Sequence, residues 1–275
     1  VMKDGQEGSE AMLRFCPLAS GSSGNSTYIG SEQTHLLIDA GISGKKVMEA
    51  LASLSLTGEM LSGIFVTHEH SDHIKGIGVL SRRFDLPVYA TEGTWQAMEG
   101  CIGSIARKNK KIIYSGEKTV FADLILSPFA IPHDAAQPVG YTISDGEKKV
   151  SIATDIGHPS DSVKEGIADS DALLLEANYD VEMLRKGPYP YPLKQRILGD
   201  LGHMSNPTAG DLLAEMVTSR LRHVYLGHLS AENNTPQLAY HDVCERLYQR
   251  KIRPGRDFAV ALANRHTPSS MICLE

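Results

Sequence analysis

The stretch "GIFVTHEHSDHIKGI", residues 63–77, decides how this chain is read. A short apolar run ends in His68, Glu69, His70, Asp72 and His73. Side chains at i and i+2 on extended backbone point the same way, so His68 and His70 can face one ion together. Asp72 and His73 fall at the entrance of the helix expected next, and can face a second ion. Glu69 points away and need not take part. Each divalent ion wants about four to six donors. The cluster alone cannot supply two such sets, so it predicts isolated histidines and an aspartate at the ends of later strands.

Three residues meet that description. His133 follows an apolar strand in "PFAIPHDA", Asp155 closes "VSIATD", and His228 closes "HVYLGH". Open α/β sheets gather their sites at strand ends, so these three are the natural partners of the 68–73 cluster.

The rest of the chain supplies a scaffold of matching rhythm. "RFCPLA", "STYIG" and "HLLIDAG" read as short strands parted by Gly/Ser turns. "SGKKVMEALASL" has helical spacing through Val47, Leu51 and Leu54, and a single helix is expected from about Ile74 to Arg83. Strands dominate 111–153. Later helices open at Pro207 and at Thr235–Pro236, where proline suits the first turn. "KGPYPYPLKQRILGDLGHMSNP", 186–207, reads as one long irregular loop, a feature often tied to function. Strands followed by strand–helix units, repeated, point to an α/β fold of two face-to-face sheets with helices outside, a four-layer αββα sandwich. The expected organisation is a leader or cloning remnant over 1–11, then one domain over 12–275 built of two halves, about 12–148 and 149–275.

Bulk properties narrow the function. The chain has 275 residues, 41% hydrophobic and 22% charged, with a net charge of −6. No apolar run nears the roughly 20 residues of a membrane-spanning helix. The polar start lacks the apolar core of a signal peptide. Cys16, Cys101, Cys244 and Cys273 are scattered without a C-x-x-C pair, as free thiols in a cytoplasmic protein would be. An acidic balance argues against coating of long nucleic acid over a wide face. "RKNKK" at 107–111 and the arginines and lysine from Arg246 to Arg256 leave room for a local basic track.

The motif H-x-H-x-D-H followed by a lone His, Asp and His in this order resembles the metallo-β-lactamase superfamily, and "LLIDAG", with Asp39, resembles its first motif. "LASGSSGNSTYIG", "THEHSDHIKG", "PHDAAQPVGYTI", "LLLEANYD", "GHMSNPTAGDLL" and "LGHLSAENNTPQLA" are similar to its WalJ (YycJ) branch, from about Met12 to the C-terminus. The resemblance implies that one metal takes His68, His70 and His133. The other takes Asp72, His73 and His228, and Asp155 bridges them. Zinc suits both sets, and manganese or iron suits the oxygen-richer one. A related redox branch carries glutamate at the position of His70, so histidine there favours hydrolysis.

Two close cations sharing a hydroxide give a nucleophile at neutral pH, and Asp72 can orient it. His203 is the candidate proton donor; capping the helix near Asn206 is its other reading. Ser23 and Asn25 lie in a glycine-rich turn that either offers backbone N–H groups to a phosphate or simply shapes the rim. Asn178 touches substrate or braces a ligand, and Ser205 is placed beside substrate. Asp39 orients the metal-binding loop. His158, three residues past Asp155, is read as a group just outside the ligands or on the surface. By resemblance the activity is 5′-to-3′ DNA exonuclease, with DNA as partner. The rivals are a small-molecule phosphodiesterase, lactonase or thioesterase, and a regulatory binding module with structural metals.

Overall fold

The computed structural model describes residues 12–275; the leader expected over 1–11 lies outside the described residues. The first sheet holds β1 (Leu13–Ala19), β2 (Ser26–Gly30), β3 (His35–Ile38), β4 (Gly63–Phe65), β5 (Val88–Ala90) and β6 (Lys110–Ile112). The second holds β7 (Thr119–Phe121), β8 (Leu124–Ala130), β9 (Val139–Ser144), β10 (Lys149–Ala153), β11 (Ala172–Glu176), β12 (His223–Gly227) and β13 (Ala259–Leu262). β14 (Ile272–Leu274) returns to pair with β1 at the edge of the first sheet. The sheets therefore part between Ile112 and Thr119 rather than near residue 148, and the last strand crosses back. The chain's rhythm hides this, because β7–β9 belong to the second sheet although they precede its strand–helix units.

Each sheet is antiparallel at one side and parallel at the other. β1, β2 and β3 are antiparallel, and β3 through β6 run parallel. β7 to β10 are antiparallel, and β10 through β13 run parallel. Parallel strands such as "HLLI" and "ALLLE" are buried along their whole length, which explains their continuous apolar runs.

Alternation along the strands builds the layers. Phe15, Leu36 and Ile38 join Tyr141, Leu174 and Tyr225 in a core between the sheets. Cys16 and Leu37 face outward to α1 (Gly44–Ser53), α3 (Ile77–Phe84) and α4 (Glu92–Met98). Leu173 and Leu175 face α5 (Asp161–Ile167), α8 (Asn206–Met216) and α9 (Pro236–Gln249) on the far side. This is the four-layer αββα sandwich.

Two expectations about elements need correcting. The helix expected from Ile74 to Arg83 is two pieces, α2 (Ser71–Ile74) and α3, joined through Gly76. A Cβ at Gly76 would lie 2.5 Å from the carbonyl oxygen of Ile42, so the chain turns there at close approach. The segment read as one irregular loop contains α7 (Tyr191–Leu198), preceded by α6 (Val181–Lys186). Pro190 is the cap of α7 and Pro192 lies in its first turn, where proline favours a helix start.

Candidate metal centre

The site lies where strands from both sheets end. Asp39 follows β3, the 66–73 segment follows β4, His133 follows β8, Asp155 follows β10, Glu176 ends β11 and His228 follows β12. Asp39, Asp155 and His228 have φ of 61°, 61° and 53°, in the left-handed region. Non-glycine residues adopt it at a cost of about 1 kcal/mol or more.

Convergence follows the expected sets. Ligating atoms of His68, His70 and His133 lie within 4.8 Å of one another, as do those of Asp72, His73 and His228. Asp155 reaches both: its Oδ2 is 3.2 Å from His73 Nε2, and its Oδ1 is 3.3 Å from His228 Nε2 and 3.8 Å from His133 Nε2. His68 Nε2 and Asp155 Oδ2 are buried with no hydrogen-bond partner. Buried polar atoms are nearly always satisfied, so orphaned lone pairs inside a knot of histidines and carboxylates are what a cation site requires. The residues present fit divalent metal binding.

Four of the five rings are aimed by their other nitrogen; His70 instead turns its Nδ1 to His133 Nε2 at 3.3 Å. His73 Nδ1 donates to Asp39 Oδ2 at 2.8 Å, His133 Nδ1 to the Gly202 carbonyl at 3.1 Å, and His228 Nδ1 to Glu176 Oε1 at 3.0 Å. His68 Nδ1 meets the Thr67 hydroxyl at 3.0 Å, and that hydroxyl donates to Asp39 Oδ2 at 2.8 Å. Asp39 Oδ1 also accepts from the Thr67 N–H at 2.8 Å. Nδ1 is thereby tethered and Nε2 left facing the cluster, the arrangement that orients metal-binding imidazoles. Asp39 acts as the orienting residue expected of it.

The field of the site calls for positive charge. Burial pulls His228 down, but the carboxylates of Asp155, Asp72 and Glu176 outweigh it and lift its pKa to about 10. His73 is buried too, and Asp155, Asp39 and Asp72 raise it well above the usual histidine value. Burial and the neighbouring His73 charge hold His68 well below that value. Asp155 is kept far down by His228 and His73 despite burial. Protons on these histidines can fill part of the role that metal would take.

The model of the β-lactamase superfamily domain matches residues 34–228. The chain is 44% identical over 248 residues to the exodeoxyribonuclease YycJ of Bacillus anthracis, covering 90% of this chain and 94% of that protein. It is 42% identical over 254 residues to the exodeoxyribonuclease WalJ of Streptococcus pneumoniae serotype 2, covering 92% and 94%. This chain belongs to the metallo-β-lactamase superfamily, in its YycJ/WalJ branch. The fold agrees: the metallo-β-lactamase fold protein YhfI from Bacillus subtilis superposes with a TM-score of 0.72 at 17% identity, over 94% of this chain and 99% of that one.

Around the two candidate ligand groups, the remaining candidates separate. His203 lines a cavity of ≈ 360 Å³ together with His70, Asp72, Asp155, Asn178 and His228. Its Nδ1 donates to Glu176 Oε1 at 2.8 Å, so it is not a helix cap; Ser205 caps α8 instead. Ser205 is buried, bonded to Thr208, and does not line the cavity. Asn25 is buried and directs Nδ2 toward Asp72 Oδ2 at 3.3 Å and His73 Nε2 at 3.1 Å, while its Oδ1 accepts from the Gly21 N–H. It braces the cluster from behind. Ser23 lines an adjoining cavity shared with Ser71 and Asp72. Asn178 donates to the His228 carbonyl at 2.8 Å and also lines the main cavity, so both of its readings have a geometric basis. His158 is exposed and donates to the Asp200 carbonyl.

Glu176 is a member of the network that the sequence reading misses. Fully buried, it accepts from His203, His228 and the backbone N–H groups of Asp155, Ile156 and Met204. Burial raises its pKa, but His203 and His228 win and hold it at about 2. A signal is present: a lone carboxylate closing the apolar run "ALLLE" must be paired if buried.

Proposed function

We propose that this protein is a metal-dependent exodeoxyribonuclease acting from the 5′ end, with Asp72 and His203 as its catalytic residues. The observation that carries the reading is the pair of three-residue groups meeting at Asp155 beneath a cavity, in a chain so similar to two named exodeoxyribonucleases.

His68, His70 and His133 would hold one divalent ion, and Asp72, His73 and His228 the other, with Asp155 between. Zinc suits the all-histidine group, and manganese or iron the group with more oxygen. Bound there, the ions would supply an acidified water and charge stabilisation for a phosphodiester. The chain's own groups do the rest. Asp72 is partly exposed to the cavity and can receive a proton from an attacking water. His203, with Nδ1 committed to Glu176, presents Nε2 as the group that protonates a leaving oxygen. Glu176 fixes the ring angle, and its carboxylate balances the charge of the doubly protonated ring that carries the Nε2 proton to be given. Free thiols suit a reducing cytoplasm, where we place its action on DNA. Among the described residues no helix is long and apolar enough to cross a membrane.

The test is purified protein with manganese or zinc on DNA labelled at either end, with bis-p-nitrophenyl phosphate in parallel. Mononucleotides released progressively from the 5′ end are expected, and Asp72→Ala should abolish them while the protein stays folded. Turnover of the small ester with no DNA cutting under any metal would replace the nuclease by a small-molecule phosphodiesterase.

A further inference from the structure

We propose that Lys75, with Ser22 and Ser23 beside it, holds the DNA phosphate next to the one being cut, on the part of the strand that keeps the cut phosphate. The inference rests on the exodeoxyribonuclease reading and names a binding subsite on the far side of Asp72 from His203.

The cavity that His203 lines is one of two that meet at the metal centre. The other, of ≈ 380 Å³, has Ser23, Gly41 and Lys75 in its wall. Ser22, Ser71 and Asp72 line both, so the two cavities join along that seam. His203 lies only in the first and Lys75 only in the second. Direction follows from the bond that breaks. The attacking water oxygen bonds to phosphorus and passes its proton to Asp72, while the leaving oxygen parts from phosphorus and takes a proton from His203. The nucleoside that owns the leaving oxygen therefore sits on the His203 side. The part of the strand that keeps the phosphate runs the other way, over the seam and past Lys75. With the 3′ oxygen of the terminal nucleotide leaving, that part is the remaining DNA.

Lys75 is free to take that phosphate. Arg196, the other lysine or arginine in the two linings, is already held through Nε and Nη2 by Asp134. Lys75 is exposed, and its ammonium has no ion-pair or hydrogen-bond partner among the described residues. A lysine carries three donors on a flexible stem and binds phosphate as a point charge. Ser22 and Ser23 are exposed too, and their hydroxyls have no partner among the described residues. The turn that bears them is fixed in place. The Gly24 N–H donates to the Gly21 carbonyl at 2.9 Å, the Gly21 N–H to Asn25 Oδ1 at 2.9 Å, and the Asn25 N–H to the Asp72 carbonyl at 2.8 Å. A Cβ at Gly24 would lie 2.5 Å from Ile42 Cγ2, so the turn packs tightly on the loop after β3. An unpaired cation beside two unpaired hydroxyls, on backbone tied to Asp72, is what positions a DNA phosphate. In a chain of net charge −6, affinity for a polyanion has to come from such local contacts.

The experiment compares steady-state cleavage of a linear DNA duplex with that of bis-p-nitrophenyl phosphate, using the full chain in manganese. Lys75→Gln should raise KM for the duplex about 10-fold, whatever the DNA sequence. Its loss of kcat/KM on the duplex should exceed that on the small ester, which has no neighbouring phosphate, by about the same factor. The slope of log KM against log salt should flatten by about 0.9, the share of one phosphate contact on a duplex. Lys75→Arg keeps the charge and should stay within about threefold of the parent. Ser22→Ala and Ser23→Ala together should raise KM about 2- to 10-fold. Elemental analysis should find parental metal content in Lys75→Gln; a depleted variant would assign Lys75 to the ligand segment and overturn the subsite. Equal losses on both substrates, or a Lys75→Arg variant as poor as Lys75→Gln, would overturn it as well. If the parent cuts the duplex and Lys75→Gln matches it in KM and salt slope, the subsite alone falls. If the parent cuts only the small ester, the nuclease reading falls and takes the subsite with it.

Discussion

At the residue scale, His203 is separated from the two ligand groups by what its nitrogens do. Its Nδ1 is bound to Glu176, and its ring stacks 5.3 Å from that of His228; it stands outside the two groups of three, although it also gathers with Asp155, Glu176 and His228 into a group of four. His203→Ala should therefore lower kcat by about 10²–10⁴-fold, the worth of a positioned proton donor, with metal content unchanged by elemental analysis. A variant that turns over like the parent would remove His203 from the chemistry. Gly41, closing "LLIDAG", makes a different case. A Cβ there would lie 1.6 Å from the backbone oxygen of Asp72. Gly41→Ala must displace the Asp72 backbone, so elemental analysis should find the Asp72 group depleted of metal while the all-histidine group stays filled. Full loading of both groups in that variant would show that the loop accommodates the methyl group.

At the element scale, the legible parts of the site are those with a local signature. The order H-x-H-x-D-H and the single His, Asp and His at strand ends can be read because each stands where an apolar run stops. Glu176 escapes because its partners, His203 and His228, are 27 and 52 residues away, and a carboxylate ending a strand looks like a solvent-facing terminus. α7 escapes because "PYPYP" looks like a helix breaker, whereas proline at a helix start is permitted. The helix split at Gly76 is hidden since the approach of Ile42 demands it, and that contact is not local to the helix. The two-sheet sandwich is legible from strand rhythm, but the place where the sheets part is not, and neither is the return of β14. That strand makes its own prediction. Leu274 is buried between the sheets and pairs in register with Leu13. Leu274→Ala should destabilise the protein by about 2–5 kcal/mol, read as a fall in the urea midpoint. A change within error would mean that this edge carries little of the core.

At the scale of the whole molecule, the sheets are joined by charge as well as by apolar contact, and that makes stability depend on pH. His228, at about 10, lies above its ordinary value of 6.5, so its contribution is fully present below about pH 6.5 and is lost as pH rises through 10. Glu176, at about 2, lies below its ordinary 4.5, so its contribution is present above about pH 4.5 and is lost as pH falls through 2. Metal-stripped protein should therefore show a melting temperature that falls between about pH 7 and 10. Metal-loaded protein should lack that fall, because ions replace the protons on the histidines. Identical pH profiles with and without chelator would sink this account. The left-handed backbone at Asp39, Asp155 and His228 has a consequence for descent. A duplicate copy relieved of catalysis would gain by exchanging these residues for glycine, which adopts such angles freely. In this chain all three positions bear the backbone cost, and the side chains they keep there are ones the site uses.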